Sequence, residues 1–131
     1  MVIIGTKCQI EQVVTEDLTA AKVGSGALPV FGTPFMIAMM ENAAMTCLHQ
    51  FLEEGQGSVG THIDISHDAP PPIGMKVTVE AEIRNVSENG KMVVFDVRAW
   101  DEKGPIGSGP HTRAIIKNER FLAKCNAKLE Q

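Results

Sequence analysis

Thr33-Pro34-Phe35-Met36-Ile37-Ala38-Met39-Met40-Glu41-Asn42-Ala43-Ala44-Met45-Thr46-Cys47-Leu48 is the stretch on which the fold of this 131-residue chain turns. A threonine hydroxyl can cap the free amides of a first helical turn, and proline fits the first helical position, so the spacing predicts a helix starting at Thr33. The run continues to Leu52 and is expected to stop near Gly55 and Gly57. It is apolar nearly all round, the pattern of a helix enclosed by other structure.

Working outward, residues 7–14 have loose strand character, 17–23 form a connector able to hold a helical turn, and 24–29 make a loop of small residues. Downstream the hydrophobic period changes from helical to two. Residues 58–66 alternate Val59, Thr61, Ile63 and Ile65 against Gly60, His62, Asp64 and Ser66, and residues 75–86 alternate Val77, Val79, Ala81 and Ile83 against polar neighbours. The turns Ser87-Glu88-Asn89-Gly90 and Asp101-Glu102-Lys103-Gly104 lead through residues 91–101 to a last strand ending in Arg113-Ala114-Ile115-Ile116, which predicts an antiparallel meander. One strand, one apolar helix and then about four strands specify an α+β fold in which the sheet wraps the helix. Gly24-Ser25-Gly26 and Gly107-Ser108-Gly109 read as ordinary bends, too short for phosphate loops.

The length suits one domain over residues 1–131. A net charge of −4 with scattered lysines and arginines argues against a nucleic-acid partner. The longest apolar run, inside residues 34–52, is interrupted by Glu41, Asn42 and His49, so no membrane span is expected. The first residues lack a secretory pattern, and Cys8, Cys47 and Cys125 are widely spaced without a CxxC pair. They read as reduced thiols of a cytoplasmic protein. The four histidines have no metal-ligand spacing with each other or with the cysteines, so no metal site is expected.

Between Lys22 and Glu53 lie thirty residues with one formally charged side chain, Glu41. An unpaired buried carboxylate costs several kcal/mol, so Glu41 either has a partner or a watery pocket, as a catalytic acid or base does, or sits on an exposed stripe of the helix. His67 stands at a strand end before the rigid Pro70-Pro71-Pro72 turn, placed either to reach a pocket or to serve at the surface. Thr33, as a cap, would lie beside free amides and the positive end of the helix dipole, where a carbonyl oxygen gaining negative charge is stabilised.

Three segments carry a family resemblance. They are Phe31-Gly32-Thr33-Pro34-Phe35-Met36 with Met40-Glu41-Asn42-Ala43-Ala44; Val59-Gly60-Thr61-His62-Ile63-Asp64-Ile65-Ser66-His67-Asp68-Ala69-Pro70 with Gly74; and Gly109-Pro110-His111-Thr112-Arg113 running into Arg120-Phe121. With the order of elements, they resemble the fluoroacetyl-CoA thioesterase-like branch of the hot-dog-fold thioesterases. The resemblance implies an antiparallel sheet of about five strands around one long buried helix, and hydrolysis of an acyl-CoA or other acyl thioester with a short or medium acyl group. Coenzyme A would enter as part of the substrate, with no other cofactor. It further implies catalytic roles for Thr33, Glu41 and His67, with Glu41 as base or nucleophile, and a Gly60 backbone presented to the thioester carbonyl. Phe31, Phe35, His62 and Arg113 would contact substrate. The family forms homodimers, some assembled into tetramers, with sites at the subunit boundary. Ahead of the helix the fluoroacetyl-specific enzyme carries aromatic lid residues, whereas Val23-Gly24-Ser25-Gly26-Ala27-Leu28 has none. Two other functions fit the same pattern: an acyl-ligand-binding module without turnover, and a hydratase or dehydratase, for which no extended motif is present.

Overall fold

The computed structural model of the protein describes residues 1–130. Five strands, β1 (Lys7–Val13), β2 (Gln56–Ile63), β3 (Lys76–Val86), β4 (Met92–Asp101) and β5 (Gly104–Lys117), form one sheet in the order β1-β3-β4-β5-β2, with every neighbouring pair antiparallel. The short α1 (Ala20–Val23) precedes the long α2 (Thr33–His49), and α3 (Asn118–Asn126) follows the last strand. Strands β3, β4 and β5 are the expected meander. Strand β2 crosses to the far edge, beside β5.

Helix α2 buries Met36, Met40, Ala43, Ala44, Cys47 and Leu48, spaced three and four apart, so they share one face. That face packs on the inward residues of β3 and β4, Val77, Val79, Ala81 and Ile83 with Val93, Phe95, Val97 and Ala99. Each large side chain so enclosed contributes about 1.5–3 kcal/mol of apolar burial. The opposite sheet face is polar, with Arg98 bridging Glu80 and Glu82. A single curved sheet covers only one side of a helix, and Pro34, Ala38, Asn42, Met45, Thr46 and His49 stay exposed along the other. The helix is therefore less enclosed than its apolar composition predicts.

Three local details differ from expectation. Gly32, not Thr33, is the N-cap, and no side chain caps the first turn. At the other end the helix stops at His49, short of the glycines, where the Gln50 side-chain amide donates to the Cys47 carbonyl (2.9 Å). Gly107 and Gly109 are not in a bend but inside β5, opposite Ala99 and Val97. They are glycines because residues 64–68 run directly over them: a Cβ on Gly109 would stand 2.0 Å from the Asp64 carbonyl oxygen, and one on Gly107 2.2 Å from that of Ser66.

Candidate active site

Two groups of polar side chains sit on α2, and different strands bring their partners. The first is at its start. The Asp64, Ser66 and Asp68 amides donate to the Pro110, Ser108 and Ile106 carbonyls, so β5 holds residues 64–68 extended beyond the end of β2. The Phe31 amide donates to the Pro71 carbonyl (2.9 Å), which pins the proline turn beside the helix start. His67 is thereby delivered to Thr33, with Nδ1 2.7 Å from the threonine hydroxyl. This bond explains the absent cap: the hydroxyl points to the imidazole instead of back to the helix amides.

The His67 ring stands edge-on to buried Phe31, with centroids 6.3 Å apart. Its Nε2 is buried with no hydrogen-bond partner among the described residues, an expensive condition for a polar atom and a place for an incoming group. Burial pulls the His67 pKa below its ordinary value, against the opposing pull of Asp68. Pro34 has no amide, and the Phe35 and Met36 amides both go to the Gly32 carbonyl (3.0 and 3.1 Å). Of the first turn, the Thr33 amide and hydroxyl are what remains for a ligand.

The second group lies two turns on. Glu41 reaches Arg113 of β5, Oε2 to Nη1 3.7 Å, with 43% of its side chain exposed and the arginine almost wholly buried. Arg113 is held from three directions. Its Nε–H and Nη2–H donate to the Ser58 hydroxyl (2.9 Å) and carbonyl (3.1 Å), and its Nη1–H donates to His111 Nε2 (3.2 Å). Since the His62 carbonyl can only accept, His111 carries its proton on Nδ1 to bond it (2.8 Å), which leaves the Nε2 lone pair for Arg113. His111 is also stacked on Phe95 (centroids 6.1 Å). Burial holds the His111 pKa below its ordinary value, Arg113 adding to this while the His62 carbonyl and Glu41 oppose it. Burial likewise lowers the Arg113 pKa, opposed by Glu41. Gly60 faces this group across β2, and a Cβ there would stand 2.5 Å from Glu41 Oε2. The carboxylate therefore occupies the space that the missing side chain leaves, beside the β-bulge between Gly60 and His62.

Thr33, His67 and Phe31 are thus together, and so are Glu41, Gly60 and Arg113. The two groups are separate within one chain: eight helical residues advance about 12 Å. Phe35 shares with Phe31, Leu18 and Met39 a cavity of about 250 Å3 on the β1 side of α2. The His62 side chain is exposed on the sheet edge, and only its carbonyl joins the second group. Ser58 is not singled out by the sequence; His111 is, with the same ambiguity between a pocket and a structural place as His67, and within the third segment of the family resemblance. The signal for His111 is its place two residues before Arg113, on the same buried face of β5.

A five-stranded antiparallel sheet curled on one long helix defines the hot-dog class of folds. The model of the fluoroacetyl-CoA-specific thioesterase family matches residues 14–119, and the chain belongs to that family. A fluoroacetyl-CoA thioesterase of Streptantibioticus cattleyicolor is 44% identical over 99 residues, 76% of this chain and 70% of the relative. The solved fluoroacetyl-CoA thioesterase FlK superimposes with a TM-score of 0.89 at 37% identity, covering 96% of each chain. A Thermus thermophilus hypothetical protein of the thioesterase superfamily superimposes with a TM-score of 0.90 at 30% identity, covering 99% of this chain and 95% of the other.

Proposed function

We propose that the protein hydrolyses an acyl-CoA thioester with a short or medium acyl group. The observation that carries this reading is the placement of Glu41: a half-exposed carboxylate, oriented by a buried arginine and aimed over a glycine backbone. A carboxylate so held can take the proton of a water as it attacks the thioester carbonyl carbon, or can attack that carbon itself. The carbonyl oxygen gains negative charge in either course, and backbone at Gly60 or the amide and hydroxyl of Thr33 would stabilise it. The carbon–sulfur bond then breaks. After water attack this gives the acid directly, whereas after attack by Glu41 it leaves a mixed anhydride that a water must hydrolyse to free the carboxylate. A thiolate is a good leaving group, and His67, hydrogen-bonded to Thr33, would help pass to it the proton that Glu41 took from the water.

The separation of the two groups supports a homodimer, in which a second copy presents its Glu41 group to the Thr33–His67 pair across the β2 edge. Relatives support the substrate class. FlK structures include one with fluoroacetate and CoA, in a phenylalanine-to-alanine mutant, and a threonine-to-serine mutant with acetyl-CoA. Residues 23–28, ahead of α2, carry no aromatic side chain, and Leu28 there is exposed. Nothing among them closes over a two-carbon acyl group, so broader acyl acceptance than fluoroacetyl is proposed.

The test is thiol release from acetyl-, branched-, aryl- and medium-chain acyl-CoAs, with the three cysteines of the protein subtracted as background. The wild type is expected to turn over at least one, and Glu41→Gln to lose roughly 100- to 10,000-fold in kcat. Stabilisation by CoA esters with no turnover would make the protein a binding module and Glu41 a structural residue.

A further inference from the structure

Of the four histidines, His111 alone is buried, at 1% exposure, and the hydrolysis set out above gives it no part. Three strands confine its ring. Phe95 of β4 stacks on one face, the His62 carbonyl of β2 accepts from Nδ1–H (2.8 Å), and Arg113 of β5 donates to Nε2 (3.2 Å). The remaining side borders the empty space beside Gly60. The three atoms nearest to the place of a Cβ there are Glu41 Oε2, His111 Cε1 and Arg113 Nη1, at 2.5, 3.2 and 3.5 Å. Carboxylate, imidazole and guanidinium therefore converge on one point.

Arg113 Nη1 is the atom between the other two groups. Ser58 takes the remaining nitrogens, Nε and Nη2. Nη1 is bonded to the imidazole at 3.2 Å and stands 3.7 Å from the carboxylate, beyond a hydrogen bond. Glu41 is thus aimed by the charge of the arginine without being capped by its N–H, and 43% of its side chain stays exposed. Without the lone pair of Nε2, a buried N–H loses its partner. Glu41 is the acceptor already beside it, and a carboxylate hydrogen-bonded to arginine is a weaker base and a weaker nucleophile.

We propose that His111 is a positioning residue: its neutral imidazole, protonated on Nδ1, holds Arg113 Nη1 off Glu41, and a second proton on the ring disables the carboxylate. The proposal rests on the thioesterase reading above and adds to it a residue that acts through another. Histidine suits the place because a neutral imidazole offers a donor at one nitrogen and an acceptor at the other, and withdraws the acceptor on charging. The charged groups that face the ring are Arg113 on its own strand, Glu41 from α2 and the His62 side chain from β2, while β4 contributes the uncharged Phe95. Burial first, and then Arg113, keep the ring neutral at neutral pH against the opposing pull of the His62 carbonyl and Glu41.

The experiment separates the two nitrogens. A glutamine side chain carries an amide oxygen at the reach of Nε2 and cannot charge, whereas an asparagine side chain keeps a donor at the reach of Nδ1 and offers Arg113 nothing. On the acyl-CoA turned over best, His111→Gln is expected to keep roughly 10-fold more kcat than His111→Asn, with KM moved less than kcat. Equal kcat in the two folded variants, or more in His111→Asn, overturns the proposal, since a core filler or an anchor for His62 would behave so. Nitrogen-15 spectra of the wild-type histidines are expected to show one imidazole with its proton on Nδ1, absent from both variants. A proton on Nε2, or a charged ring near pH 7, overturns the proposal even if neither variant folds. As pH falls, the kcat ratio of His111→Gln to wild type is expected to rise across the range in which the spectra show that ring charging. The ratio cancels the titration of Glu41 and His67, so a flat ratio overturns the proposal. If wild type turns over no thioester the thioesterase reading fails, while the spectra still decide whether the imidazole holds Arg113.

Discussion

The Thr33–His67 pair and the Glu41–Arg113 pair share a helix but are built in opposite ways. His67 arrives on an extended segment held by every second amide, and its Nε2 has no hydrogen-bond partner. Arg113 arrives inside a strand, with every nitrogen of its guanidinium engaged and a histidine fixed in one tautomer behind it. The first pair is incomplete until something binds, whereas the second is complete and merely exposes its carboxylate. The difference teaches where each is vulnerable: the first to movement of backbone, the second to loss of a side chain.

The largest effect that exploits this is expected from Gly109→Ala. The added methyl meets a backbone carbonyl oxygen that cannot rotate away, so residues 64–68 must lift and His67 leaves Thr33. Overpacking of this kind costs roughly 3 kcal/mol or more, visible as a large fall in the thermal midpoint together with lost thiol release. A midpoint equal to wild type would show that the segment yields freely and that β5 does not position His67.

A smaller effect, and a different one, is expected from Gly60→Ala. Here the new methyl meets first the end of a flexible side chain, Glu41 Oε2, and beyond it the His111 ring at 3.2 Å. The carboxylate swings off Arg113 and the chain still folds, with stability changed by about 1 kcal/mol or less while thiol release falls roughly 10-fold or more. Full activity in a well-folded Gly60→Ala protein would mean that the observed Glu41 orientation is not the working one. Thr33→Ala should cost less in folding than Gly109→Ala, about 1 kcal/mol for one hydrogen bond. Combined with Glu41→Gln in a double-mutant cycle, it separates two independent groups from one constellation. Additive losses fit two groups acting apart; losses that do not add fit their meeting at one reacting carbon.

Much of this was legible in the residues and some was not. The period of two in the second half and the long apolar run show the meander and the helix, because those patterns report which face is dry. The isolated charge of Glu41 and the proline turn after His67 mark two of the candidate residues. What sequence spacing does not carry is which strand crosses which. The glycines at 107 and 109 look like a bend, since Gly-Ser-Gly reads as a turn until residues 64–68 are known to pass over it. Thr33 looks like a cap because its alternative partner lies 34 residues away. Helix α3 went unseen: it has nine residues, no capping side chain and no buried residue, so its apolar pattern is too short to stand out.

The smallest effect concerns pH and bears on both groups at once. Burial holds the pKa values of His67 and His111 below the ordinary 6.5. Between 6.5 and the folded values the unfolded chain therefore binds more protons than the folded one, so stability falls as pH drops through that window and is independent of these groups above it. Glu80 and Glu82 act in a separate window. Their pKa values are lowered, by the Gln9 bond first for Glu80 and by Arg98 for Glu82. What they contribute is present above the ordinary carboxylate value and is lost only as pH falls through their folded values. Thermal midpoints taken from about pH 7.5 down to about pH 5 isolate the histidines, since the carboxylates stay ionised over that range. The two imidazoles differ in consequence. A second proton on His67 is opposed by no neighbouring cation and is favoured by Asp68, while a proton on His111 must enter at the Nε2 that accepts from Arg113, setting N–H against N–H. His67→Gln is therefore expected to remove part of the acid-side slope and leave the part due to His111. A slope unchanged by that substitution would assign the whole effect to the Arg113 group, and a flat profile in wild type would show that neither imidazole is as shut off from water as its surroundings indicate.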